Sequence, residues 1–524
     1  MRISEKQKNI ILSVLDFLCL SFVCFIIYKF ISPYTYIPIM FSGEDFYQPY
    51  WNVSDFDIDN SPSQVFFSSD HSWYFYSIVY VLTQKYLVDF LHLHPVIYLE
   101  KYHVFFMFGY YVLLLFSLLV NFTKYFTKTR FTCLLLPFIA LFFIHPVIKE
   151  YLIWLFYHSS WGFCYIFLTV FLLVFLSKIE YFYVNSEKPT KREWFSIIFL
   201  ILFLSVSHEF HRFILCFGSL VVLTAHKLIF KTEFKRKYLW YWLLLVLVCS
   251  LNFLNKSFLF WFSERCVFIK NNADSSIFSF QYLIQYFSGY YDYLIKHNIL
   301  LINILSILLV FVHFFVGDKE KNKRLFIYLA SLLLTVYVFF IAIIVGNEYT
   351  NFSYEHKGLR FILIAVFVYC ILSAFGYLLK MSDNKKLKAA LSVFVFLQFF
   401  TSLGIPDFKK ATSFDNEYSH ELKKIAYMAE KMFVLYGKKR KLYYYMSNQT
   451  DISKTSIIYL LYRYDKNSSK NDYEIIEVCK TDLNLEHFAD CRNKFLKLFE
   501  EKTGQTITEE ELEKYDFSVF DKYL

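Results

Sequence analysis

Runs of roughly 20 apolar residues recur along this chain, each bounded by charged or polar segments, as expected when helices cross a bilayer one after another. About eleven runs of that length are legible. The first, Ile10 to Ile31, follows a basic flank; it is too long for a signal-peptide core and no small-residue cleavage site comes after it. It is therefore expected to remain as an uncleaved first helix. A long outer segment to about Leu99 follows, holding GEDFYQPYW, the acidic DFDIDN and an amphipathic stretch from Trp73 to Leu93. Lys85, Asp89, His92 and His94 suit that stretch to the membrane interface better than to its interior.

The charged flanks orient the remaining runs, because short cytoplasmic loops collect Lys and Arg. The second run descends from about Tyr102 to Phe122 and meets Lys124, Lys128 and Arg130; the third returns from Phe131 to Ile144. The fourth descends from Trp161 to about Tyr183, after an outer loop with His145, Lys149, Glu150 and His158. The fifth rises from Trp194 to Val206 and the sixth descends toward Lys227, with SHEFHR, residues 207–212, at the outer turn between them. The seventh, Tyr238 to about Phe253, leads into a second outer segment, Asn255 to His297, which also has room for a re-entrant element. Ile299 to Val316 and Leu325 to Val345 give the eighth and ninth, joined by GDKEKNKR. The tenth follows the outer loop NEYTNFSYEHKGLR and ends at Lys380, Lys385, Lys386 and Lys388, and the eleventh is Ala389 to about Leu403.

From Pro406 onward the sequence turns polar, with a helical pattern around Ser419 to Tyr436 and strand-like runs at KLYYYM, SIIYLLYRY and YEIIEV. The expected fold class is thus an α-helical polytopic membrane protein of about eleven transmembrane helices, with a small extracytoplasmic α/β domain at the C-terminal end. Residues 1–405 form the membrane part, with outer loops at about 32–99 and 255–297, and residues 406–524 the soluble part.

Composition agrees: 57% of the 524 residues are apolar and 22% aromatic. The net charge of +9 comes largely from the short basic loops, so it orients the chain in the membrane and implies no nucleic-acid partner. With only 12 Gly there is little material for GxxxG helix contacts. Seven of the ten Cys fall in apolar runs and read as structural; Cys479 and Cys491, in the polar region, leave a disulfide open.

This topology gathers four polar islands on the outer face: Glu44 and Asp45; Glu150 with His158; His208, Glu209, His211 and Arg212; and Glu355, His356, Lys357 and Arg360. Each taken singly also reads as a solvated loop, but charges at helix depth are costly and mark function by default. Glu44 and Asp45 lie among Phe41, Phe46, Tyr47, Tyr50 and Trp51, a setting that raises a carboxyl pKa and suits a general base toward a hydroxyl. Arg212 and Arg360, with Lys357 assisting, suit a phosphate or diphosphate at the membrane surface. The competing reading of Arg212 is an ion pair with Glu209 at i, i+3.

HEFH is one residue short of the zinc motif HExxH, and DFDIDN lacks the Gly and the closing Glu of a calcium loop, leaving a loosely held divalent cation as the only metal option. No Walker A, GxGxxG or GxSxG motif occurs, so nothing supports a nucleotide-fed cytoplasmic site.

The GED at Gly43 to Asp45 in a long first outer loop, the amphipathic segments in that loop, the outward polar clusters and the outer C-terminal domain together resemble the GT-C superfamily of integral-membrane glycosyltransferases. The resemblance implies transfer of a sugar from a polyprenyl-phosphate donor to a glycan, lipid or protein hydroxyl at the extracytoplasmic face. It also implies Asp45 or Glu44 as the acid that deprotonates the acceptor, and His208, Glu209 and Arg360 as groups lining the donor pocket. Glu150, in the second loop, lacks a recognisable family context. A bacterial inner membrane is the expected location, with the N-terminus cytoplasmic. The alternatives are a flippase or carrier for a lipid-linked glycan, an O-antigen-type polymerase or ligase, and a structural assembly protein; the first would favour paired discontinuous helices and internal symmetry.

Overall fold

The computed structural model describes residues 95–125, 162–205, 209–230, 299–315, 320–346, 357–381, 442–447, 474–480 and 485–514, with isolated positions elsewhere. These residues are mostly helical. In chain order they form α1 (Pro95–Thr123), a π-helical turn (Gly162–Phe167) continuing into α2 (Leu168–Asn185), α3 (Lys191–Ser205), α4 (Glu209–Phe230), α5 (Leu300–Phe315), α6 (Glu320–Gly346) and α7 (Lys357–Met381). They coincide with the second, fourth, fifth, sixth, eighth, ninth and tenth apolar runs. Three stretches, Tyr165–Asn185, His211–Phe230 and Arg360–Met381, are long and apolar enough to cross a membrane; Phe108–Thr123 and Leu300–Phe315 are shorter apolar helices.

Pairings between side chains fix the relative directions of the helices. Tyr110 meets Phe167 with ring centroids 5.1 Å apart, and Tyr125 at the other end of α1 reaches Glu180, so α1 and α2 run parallel. Thr169 meets His211 and Tyr183 meets His226, so α4 runs with them. α7 packs against the π-helical turn near its start and against Phe122 at Gly376, and so has the same direction. α6 runs the opposite way, since Arg324 bonds the Tyr183 carbonyl and Tyr328 the Leu176 carbonyl. α5 is antiparallel to α6, with Asn303 on Tyr337 and Phe314 on Phe326. α3 is antiparallel to α2, from which only residues 186–190 separate it, and Phe203 packs on Phe171.

The link from α2 to α3 is built by local chemistry. Ser186 takes the left-handed conformation (φ 58°) that ends α2. Thr190 and Glu193 then form a reciprocal capping box: the Thr190 N–H donates to Glu193 Oε2 at 2.6 Å and the Glu193 N–H to Thr190 Oγ1 at 3.4 Å. That backbone donor holds the Glu193 carboxyl below its ordinary pKa.

α7 is the axis of the bundle, buried almost throughout from Arg360 to Leu379. Such burial turns the apolar run into core, with Phe361, Phe367 and Tyr369 among the largest fully enclosed side chains. Gly376 allows its closest approach to α1: a Cβ there would sit 2.5 Å from the Phe122 carbonyl oxygen.

In the polar region, β1 (Leu442–Ser447) and β2 (Glu474–Lys480) pair in parallel, with Leu442 opposite Glu474 and an irregularity between Tyr445 and Met446. They match the KLYYYM and YEIIEV runs; SIIYLLYRY lies outside the described residues. α8 (Leu485–Thr503) packs on β2 and precedes a short α9 (Glu509–Glu513). Lys424 pairs with Glu513, and Lys431 and Tyr427 bond Glu511. The side chains of Cys479 and Cys491 lie outside the described residues.

Gly376→Ala tests the close approach of α7 to α1. The methyl meets backbone, which cannot swing aside, so the substitution should cost about 1–3 kcal/mol and lower the melting temperature in detergent. An unchanged melting temperature would mean that α1 and α7 stand further apart.

Candidate functional site

α2, α4 and α7 all begin at one end of the bundle, and this end receives His211, Arg212 and Arg360. α3 ends at Ser205 and α4 starts at Glu209, so Ser207 lies between them and Glu209 to Arg212 open α4. The Ser207 N–H bonds the Leu204 carbonyl at 3.1 Å and its hydroxyl the same oxygen at 2.5 Å, which tightens the turn. His211 and Arg212 follow within α4, 0% and 8% exposed. Arg360, 4% exposed, is the fourth residue of α7, as Arg212 is of α4.

His211 is anchored to α2. Thr169 Oγ1 donates to the Tyr165 carbonyl at 2.5 Å and lies 3.1 Å from His211 Nε2. The Thr169 hydroxyl thus ties the His211 ring to the backbone of the π-helical turn. The π-helical turn just before Thr169 lies where such irregularities often accompany function. An N-terminal helix end with an arginine in its first turn is a favourable setting for an anion, because amide groups and guanidinium point the same sign of charge at it.

Glu209 and Lys357 lie on the first turns of α4 and α7, their side chains outside the described residues. Glu44, Asp45, Glu150 and His208 lie wholly outside them. Among the described residues no group of three or more His, Cys, Asp or Glu is placed to hold a metal ion.

The opposite end carries a centre that the sequence reading passed over. Glu180, 0% exposed, receives Lys124 Nζ at 2.6 Å, the Tyr125 hydroxyl at 2.6 Å, the Tyr369 hydroxyl at 2.6 Å and the Ser373 hydroxyl. Lys124 also donates to Asn121 Oδ1 at 2.6 Å, and Asn121 in turn to the Tyr369 carbonyl at 3.0 Å. α1, α2 and α7 are thereby tied at one level. Burial lowers the Lys124 ammonium to about 8 against the opposing pull of Glu180. The signal was an acid in SKIEYFYVN, at the end of an otherwise apolar run.

No protein-family profile matches the chain, and no curated protein or solved structure matches it significantly.

Removing one member of the Glu180–Lys124 pair strands the other charge in an apolar interior. Glu180→Gln and Lys124→Met should each destabilise by roughly 3–5 kcal/mol, and the double variant by less than their sum. Thermal unfolding in detergent reads the cycle; additive losses would show that the pair is not coupled.

Proposed function

We propose that this chain is an integral-membrane glycosyltransferase of GT-C type. It moves a sugar from a polyprenyl-phosphate-linked donor to a hydroxyl of a glycan, lipid or protein on the extracytoplasmic face. The observation that carries the reading is the placement of Arg212 and Arg360, buried in the first turns of two helices that begin at the same end of the bundle. Two guanidiniums at two helix N-termini are suited to hold a lipid phosphate where the hydrocarbon begins.

The end so marked is the outer one. Lys188, Lys191, Arg192, Lys227, Lys321, Lys323, Arg324 and Lys380 all lie toward the other end, against Glu187, Glu193 and Glu320, and such an excess belongs to the cytoplasm. Residues 406–524 then lie outside the cytoplasm, in a bacterial inner membrane.

In the proposed reaction Asp45, or its neighbour Glu44, takes the proton of the acceptor hydroxyl as its oxygen bonds to the sugar C1. The bond from C1 to the donor phosphate breaks, and the phosphate leaves with the electron pair. Arg212 and Arg360 stabilise the charge that develops on it, an electrostatic role worth most in a water-poor site. His208, Glu209, Lys357 and Glu150 are assigned to the walls of the donor pocket. Membrane lipids surround the site and no nucleic acid takes part.

Purified protein in nanodiscs is given a panel of polyprenyl-phosphate sugars, and release of the lipid phosphate is followed. Arg212→Ala and Arg360→Ala should each reduce turnover by about 10²-fold or more, with Lys replacements recovering part of it, and Asp45→Asn should abolish it. Full turnover in folded Arg212→Ala and Arg360→Ala would overturn the phosphate assignment. Retained donor binding without turnover, in wild type and variants alike, would favour a carrier for lipid-linked glycans.

A further inference from the structure

An apolar crevice of about 130 Å³ lies between α2, α3, α4 and α6, opening toward the end of the bundle that carries Lys188, Lys191, Arg192 and Lys227. Its walls include Phe175, Ile197, Ile201, Leu215, Val222 and Leu332. Three hydroxyls at its surface already have partners. The Ser219 hydroxyl donates to the Leu215 carbonyl at 2.5 Å, the Tyr328 hydroxyl to the Leu176 carbonyl at 2.9 Å, and the Tyr183 hydroxyl is 2.8 Å from His226 Nδ1. These mostly apolar walls suit neither a sugar nor a nucleotide, each of which needs several polar partners.

A single flexible hydrocarbon chain, wholly apolar, needs no hydrogen-bond partner and suits such walls. α4, one wall, belongs to a span only 22% buried within the protein, and Phe195, Phe199 and Leu202 on α3 are exposed beside it. In a membrane, such a face is open to bilayer hydrocarbon.

The rim supplies the remaining half of the ligand. The link and first turn that give Pro189 and Trp194 to the wall also carry Lys188, Lys191 and Arg192, all exposed, and exposed Lys227 ends α4 beyond Leu223. Of the acids beside them, Glu320 is paired with Arg324; Glu193, which accepts from the Thr190 N–H, and exposed Glu187 keep their charge, and the four cations Lys188, Lys191, Arg192 and Lys227 outnumber them. Trp194 and Tyr183 stand at the same level, the position aromatic side chains take at a headgroup boundary.

We propose that this crevice binds one acyl chain of an anionic glycerophospholipid from the leaflet at the Lys/Arg end, its phosphate held by Lys188, Lys191 and Arg192. Its basic rim lies at the opposite end of the bundle from Arg212 and Arg360, and the site does not depend on the transferase reading.

Full-length protein, purified in detergent and stripped of lipid, is titrated with phosphatidylglycerol or with phosphatidylcholine of the same chains. Retention is read by native mass spectrometry and stabilisation by melting temperature. Phosphatidylglycerol should be retained preferentially. Lys191→Gln with Arg192→Gln should weaken it about thirtyfold, the equivalent of ~1 kcal/mol for each surface cation, and leave phosphatidylcholine unchanged. Ser219→Phe, which grows into the crevice, should abolish retention. Equal retention of the two lipids, or full retention in Ser219→Phe, would overturn the site. If Ser219→Phe does not fold, the exposed Lys191/Arg192 pair decides alone: undiminished phosphatidylglycerol retention overturns it. Polyprenyl phosphate displacing phosphatidylglycerol at equal concentration would overturn the choice of lipid.

Discussion

A carboxylate at helix depth has no water to turn to, so the protein must bring every donor it needs, and Glu180 obtains four from two other helices. Lys124 and Tyr125 come from the end of α1, Tyr369 and Ser373 from the middle of α7, and Glu180 itself from α2. A shift of one helix by a single turn, about 5.4 Å, would strand at least one of these groups. Apolar packing alone is far more permissive of sliding, because one Leu or Phe replaces another at a helix face with little loss. The charged centre therefore sets the register, and packing such as the approach of Gly376 to Phe122 fills in around it.

With that register set, the far ends of α2 and α7 are set too. The distance from Tyr369 to Arg360 is nine residues of α7, about 14 Å of helix rise, and Glu180 to Thr169 is eleven residues of α2, about 17 Å. Thr169 in turn fixes His211, and with it the first turn of α4 that carries Arg212. A clasp near one end thus governs the geometry of the arginine-bearing helix starts near the other. In the account proposed here, the polar centres divide the work: one fixes the helices and the other meets the lipid phosphate.

Much of the helical architecture was legible because hydrophobic runs and their charged flanks are local signals. The turn at SHEFHR was legible for the same reason, with Arg212 and Arg360 standing out as cations where apolar residues were expected. The Glu180 centre was not. Lys124 carried the ordinary signature of a basic flank and Glu180 lay beside Lys178 near a helix end, while the partners that distinguish them stand 55 and 189 residues apart in sequence. Partner choice at such separation is a property of packing. The crevice was invisible for a related reason: its walls are ordinary apolar residues from four helices, and only their arrangement leaves a space. The strands at Leu442–Ser447 and Glu474–Lys480 were readable from β-branched and aromatic runs, but their parallel pairing was not.

The account stands on the two ends of the bundle facing opposite sides of a membrane, with Arg212 and Arg360 outward. Single cysteines at Ser353, in the connection from α6 to α7, and at Glu187, in the exposed link from α2 to α3, report these ends separately. A membrane-impermeant maleimide should label Ser353→Cys in intact cells, and Glu187→Cys only after permeabilisation. The reverse pattern would place the arginines in the cytoplasm and contradict a donor held at the outer face; labelling of both in intact cells would remove the membrane from between them.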